Sequence, residues 1–164
     1  MTGTGASFGA WEAVTSLGES AAETALLLRA GLCNVAPSRF IDAKGQRVMF
    51  CSAPAIAPDL VGIDRASALA HFALTRLGER IGAADRGVLL LAVADHYGAG
   101  ENTFARSKSG AAFLERLRSA MSFVRRVEIE LFPFGRAAGA VALQRALELV
   151  GDDALVIWGG VDTM

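Results

Sequence analysis

A chain of 164 residues, 52% apolar and 20% charged, is long enough to bury one sizeable core and too apolar to stay disordered. A formal net charge of −1 gives no electrostatic footprint for nucleic acid or an anionic membrane, so neither is expected as a partner. The longest apolar runs, such as GVLLLAVA, are too short to span a bilayer, and MTGTGASFGAWEA has neither a basic start nor a long apolar run, so a soluble, cytoplasmic chain is expected.

In chain order, ASFGAWEAV (residues 6–14) reads as a short first strand. ESAAETALLLRAGL predicts a helix with Ser20 as its cap, Glu23 three residues on and Gly31 as its stop. SRFIDAKGQRVMFCSA predicts a strand pair turning at Ala43–Gly45, and the proline-containing PAIAPDLVG predicts loop. IDRASALAHFALTRLGERIG predicts a second helix capped by Asp64, with Ala66, Leu69, Ala70, Ala73, Leu77 and Ile81 as its apolar stripe. RGVLLLAVAD is a continuous apolar run of strand length, as a strand covered on both faces requires.

DHYGAGENT then reads as loop, and SGAAFLERLRSAM as a third helix with Phe113, Leu114, Leu117 and Met121 on one side. FVRRVEIELF alternates Val124, Val127, Ile129 and Leu131 with Arg126, Glu128 and Glu130, which predicts an edge or interface strand. RAAGAVALQRALELVG predicts a fourth helix. Gly139, Ala142, Leu143, Ala146, Leu147 and Val150 give it a broad apolar face, and its small first residues suggest a central, buried helix. DALVIWGGVD reads as a last strand. The order β-α-β-α-β-α-β-α-β predicts an α/β domain: three layers, α/β/α, around a five-stranded mixed, mostly parallel sheet.

Candidate sites are few. Gly3, Gly5 and Gly9 lack the GxGxxG spacing and a preceding strand, and GAGENT lacks the lysine of a phosphate loop. No His, Cys or acidic cluster has metal-ligand spacing, no GxSxG elbow is present, and no cofactor is expected. Cys33 and Cys51 read as free, mostly buried thiols. His71 reads as a structural helix residue, whereas His96 follows a strand, where ligands of open α/β sheets bind. Arg136 is the anomaly, because it is a cation placed where a helix begins and the helix dipole is positive.

Three segments resemble the N-terminal half of β-ketoacyl synthases, within the thiolase-like superfamily. WEAVTSLGESAAETALLLRAG is similar to the family's opening, DRASALAHFALTRL to the helix before its third strand, and FGRAAGAVALQRALELVGDDALVIWGGVD to the nucleophile helix and the strand ending GGVD. The resemblance implies one thiolase-like domain over residues 1–164, like one half of a thiolase fold. In the family a cysteine opens the central helix, where the helix N-terminus stabilises its thiolate for attack on a thioester. Aligning Gly139 with the family glycine puts Arg136 at that position, and arginine cannot act as the nucleophile. The family's second half, which supplies two histidines or a histidine and an asparagine, has no counterpart in the sequence.

The resemblance therefore implies a scaffold with no catalytic residue of its own. Arg136 would pair with Glu12, Asp95 or Asp162, or bind an anion such as a phosphopantetheine phosphate or a carboxylate. Arg136, Phe134 and His96 are the candidate substrate-binding residues. A dimer is implied, either with a second copy or with a complementary thiolase-like chain, pairing through VRRVEIELF, and an acyl carrier is a further partner. The first expectation is an accessory or interaction module. The alternative is one subunit of an acyl-thioester condensing enzyme, an acyltransferase completed by another chain, and a third reading is a non-functional fragment.

Overall fold

The computed structural model describes residues 9–94, 107–151 and 153–161. The chain divides into two compact units, Trp11–Leu60 and Met1–Ala10 with Val61–Met164.

The Trp11–Leu60 unit contains α1 (Ala21–Arg29), β1 (Ala36–Ile41) and β2 (Arg47–Phe50). Its helix has the ends read from sequence. The Ser20 Oγ accepts the Glu23 N–H at 3.2 Å, and the Glu23 carboxylate accepts the Glu19 N–H at 2.9 Å. At the other end Gly31 adopts φ 70°, and the Leu32 and Gly31 N–H groups donate to the Leu27 and Leu28 carbonyls. That is the left-handed glycine stop, which satisfies carbonyls the helix leaves open. The β1–β2 ribbon turns where expected, with the Asp42 Oδ1 accepting from the Lys44 and Gln46 N–H groups and Gly45 at φ 77°.

Three expectations for this region are corrected. Residues 9–14 form no strand: the Glu12 carboxylate accepts the Ala21 N–H at 2.6 Å and the Thr15 hydroxyl accepts from Leu17 and Gly18, so local polar groups hold this segment at the start of α1. The helix is not a covered layer, since it buries only Ala21 and Thr24 and leaves Leu26 and Leu28 exposed. Cys33 and Cys51 are free but exposed, because a single helix and a two-stranded ribbon have too little thickness to enclose them.

The larger unit contains α2 (Gly62–Ile81), β3 (Ala84–Ala92), α3 (Lys108–Ala120), β4 (Val124–Phe132), α4 (Ala138–Leu149) and β5 (Leu155–Gly160). The strands form a parallel sheet in the order β4-β3-β5. Ala84 to Ala92 run beside Val124 to Phe132, and Gly87 to Ala92 beside Leu155 to Gly160. In place of the expected five-stranded sheet, the described residues form this three-stranded sheet and a separate antiparallel ribbon. Residues 9–14 add no strand to the sheet, and β1 pairs with β2.

The crossovers β3-α3-β4 and β4-α4-β5 run in opposite directions along the sheet and lie on opposite faces, as connections of one hand must. The central strand alternates accordingly. Leu89, Leu91 and Val93 pack with Ala70 and Leu74 of α2 and Phe113 and Leu117 of α3, whereas Val88 and Leu90 pack with Ala138, Ala142 and Ala146 of α4. An apolar run without period 2 is thus resolved into two cores, one per face.

The third helix keeps the expected apolar side, with Phe113, Leu117 and Met121 almost wholly buried, and Ser107 caps it by accepting the Gly110 N–H at 3.0 Å. The second begins earlier than expected. Its cap position is Val61, with no side-chain cap bond, so Asp64 stands in the first turn and not before it. Its buried face is also rotated toward Leu74 and Gly78. A Cβ at Gly78 would collide with the Phe123 ring, so glycine permits the close approach there.

Candidate functional site

The strongest candidate is where β4 passes into α4. The strand ends at Phe132, buried on the α4 face, and Pro133 and Phe134 lead into a 3₁₀ turn, Gly135–Ala137. Gly135 adopts φ 53°, in the left-handed region that only glycine enters freely. The Ala137 N–H donates to the Phe134 carbonyl at 3.2 Å, and the Ala138 N–H donates to Gly135, so the turn feeds directly into the helix.

Arg136 is the middle residue of that turn, and its side chain is exposed. The helix starts without a side-chain cap bond and without an acid in its first turn. Neither a cap nor a first-turn acid neutralises the partial positive charge of the helix end, and Arg136 adds a full one. It forms no ion pair with any described residue. Solvent is what accommodates the cation, because water screens a charge that a buried helix start would repel. Of the acids expected as partners, Asp95 and Asp162 lie outside the described residues, and Glu12 belongs to the Trp11–Leu60 unit, where it accepts from Ala21.

Phe134 is also exposed, its ring 6.5 Å from that of Phe132 at 55°. Phe134 and Arg136 therefore lie in one exposed turn. His96 lies outside the described residues, as do Gly3 and Gly5. His71 is exposed on α2, with its Nδ1 3.4 Å from the Arg116 carbonyl oxygen, a contact of helix surface and not of a site.

Behind the turn, α4 departs from the expected central helix. Only Ala138, Ala142 and Ala146, spaced by four, are buried against the sheet. Leu147 and Val150, expected in the apolar face, are exposed, as is Val141. A Cβ at Gly139 would meet nothing within 4 Å, so the small residues at the helix start are buried on one side alone. Two polar links fix the helix. The Trp158 Nε1 donates to the Gly139 carbonyl at 3.0 Å, and the Arg145 Nε and Nη2 fork onto the Glu130 carboxylate, each at 3.3 Å. Hydrogen bonds to Glu130 and then Glu148 hold Arg145 above its ordinary pKa, so it stays cationic.

Among the described residues no group of three or more His, Cys, Asp or Glu could hold a metal ion, and no helix is long and apolar enough to cross a membrane. Compared with known proteins, the chain matches no family model, no curated protein and no solved structure. Sequence reading passed over Ser67, Lys108 and Arg116, which line a cavity between α2 and α3. The only signal was a lone serine beside an alanine stripe, which reads equally well as filler.

Proposed function

We propose that the chain is a β-ketoacyl synthase-like, thiolase-like domain without its own nucleophile, acting as an accessory or interaction module. One observation carries this reading: Arg136 stands in the glycine-opened turn that starts a small-residue helix between two parallel strands. That is the position from which, in the family the sequence resembles, a cysteine attacks a thioester. A guanidinium there has no usable lone pair but can offer charge to a phosphopantetheine phosphate or an acyl carboxylate, with Phe134 beside it as apolar surface. Partners would be a second copy or a complementary thiolase-like chain, and an acyl carrier.

A specific observation supports the second reading, a subunit of an acyl-thioester condensing enzyme completed by another chain. Strand β4 is a sheet edge, and the outer side of α4 keeps Val141 and Leu147 exposed, so there is room for a second chain at both.

Incubation of the chain with acyl-thioesters, followed by mass spectrometry, separates the two readings. The first expects no adduct; a stable acyl group on Cys33 or Cys51 overturns it. The placement itself is tested by Arg136→Cys in a Cys33→Ser, Cys51→Ser background. The new thiol should titrate below the ordinary cysteine range and react rapidly with iodoacetamide, because the helix start stabilises a thiolate. An ordinary thiol would mean that the turn is not the equivalent of the family's nucleophile position.

A further inference from the structure

A cavity of about 220 Å³ opens between the first turns of α2 and α3, lined by Ile63, Asp64 and Ser67 of the one and Lys108, Phe113 and Arg116 of the other. The third helix leaves the carboxyl end of β3, and α2 runs beside it toward the start of the same strand. Both helix beginnings therefore sit at the carboxyl end of the parallel sheet, where open α/β sheets bind ligands.

Two independent features give the cavity a chemistry. The first is charge. Among the described lining residues, Lys108 and Arg116 carry two positive charges and Asp64, 3.2 Å from the Arg116 Nη1, carries one negative, which leaves a net positive charge. The second helix also begins without a side-chain cap, so the first-turn N–H groups of Ile63 and Asp64, both lining residues, have no partner within the helix. The second feature is Ser67. It is 2% exposed, it lines the cavity, and its hydroxyl has no hydrogen-bond partner among the described residues. The side chain is nearly enclosed, and its hydroxyl is open to the cavity with no described group bonded to it, so it can donate to a guest there.

We infer that this cavity binds a small oxyanion, a carboxylate or a phosphate. Its charge would sit against Lys108 and the start of α2, an oxygen would accept from Ser67, and any short apolar tail would lie on Ile63 and Phe113. The volume is below the usual lower range for ligand pockets, about 300 Å³, which suits a small anion. The site is independent of the thiolase-like reading, since none of its residues belongs to the Arg136 turn.

The test is a ¹⁵N NMR titration of the full chain with sodium acetate and, separately, sodium phosphate, at constant ionic strength against sodium chloride. Saturable shifts of the Ile63, Asp64 and Ser67 amides are expected with at least one of the two, and which one responds names the anion. Lys108→Met and Ser67→Ala should each weaken binding about tenfold, the effect of losing one hydrogen bond to a charged group. Ser67→Ala should leave the thermal midpoint close to that of the parent chain, because the hydroxyl bonds to no described residue. Asp64→Asn should tighten binding by removing the opposing charge. Shifts that fail to saturate, that chloride reproduces, or that survive both Lys108→Met and Ser67→Ala overturn the inference. Loss of binding in Asp64→Asn overturns the oxyanion assignment, since the carboxylate would then be a ligand contact itself.

Discussion

On one face of the parallel sheet, α2 and α3 bring Leu74, Phe113 and Leu117 down on Leu89 and Leu91; on the other, α4 alone lays Ala138, Ala142 and Ala146 across Val88 and Leu90. Packed helices stand about 8–10 Å apart and strands about 4.8 Å, so three strands are wider than one helix can cover. The first face is closed by bulk. The second is closed by proximity: alanines let the helix approach, but the flank beside it keeps Trp158 40% exposed and the outer side of α4 stays apolar and open. The contrast shows how one sheet can carry a finished core on one side and a partly open, apolar surface on the other.

The largest effect should come from the closed face. Phe113→Ala should destabilise by about 3–5 kcal/mol in urea unfolding, because the ring is almost fully buried. A loss below about 1 kcal/mol would mean that this core is not what holds the sheet. On the opposite face Ala142→Leu should cost about 1–3 kcal/mol by overpacking a helix that alanine holds close to the sheet. If leucine were tolerated without loss, the idea of closure by proximity would fail. Gly78→Ala sets a better helix former against a collision with Phe123, and a net loss on the order of 1 kcal/mol is expected, to be recovered in the Phe123→Ala background. The smallest effect belongs to Leu147→Gln, within about 0.5 kcal/mol for the chain alone. Its informative readout is sedimentation: a dimer that this substitution dissociates would place the partner on the open side of α4.

Much of the larger unit was legible because its signals are local. The continuous run of β3 meant two covered faces, and the spacing of Phe113, Leu117 and Met121 gave the inner side of α3; in the smaller unit, Ser20 with Gly31 likewise fixed both ends of α1. The errors came where the outcome depends on what lies opposite. Leu147 and Val150 belong to an apolar helix pattern, but period alone does not say whether anything covers them. Asp64 suits a cap position, yet the cap is Val61, three residues earlier, and the acid pairs with Arg116 across to α3. Residues 9–14 have the composition of a strand, but a strand needs a neighbour, and Glu12 and Thr15 bond to Ala21 and Thr24 in the first turn of α1. Of the candidate site residues, Phe134 and Arg136 are brought into one turn, a result of chain adjacency. The Ser67 cavity needed two helices distant in sequence and left almost no trace in either.

The sequence by itself determined an α/β chain, the type and approximate extent of its main helices and its parallel strands, and a cation at the start of the last helix. Periodicity, caps and glycine stops act within a few residues, so a linear reading reaches them. Tertiary structure decided that, among the described residues, three strands share the parallel sheet, that α4 is buried on one side alone, and that Ser67, Lys108 and Arg116 meet around one cavity. These depend on which surfaces come to lie against one another, and that is set by the packing of segments far apart in the chain.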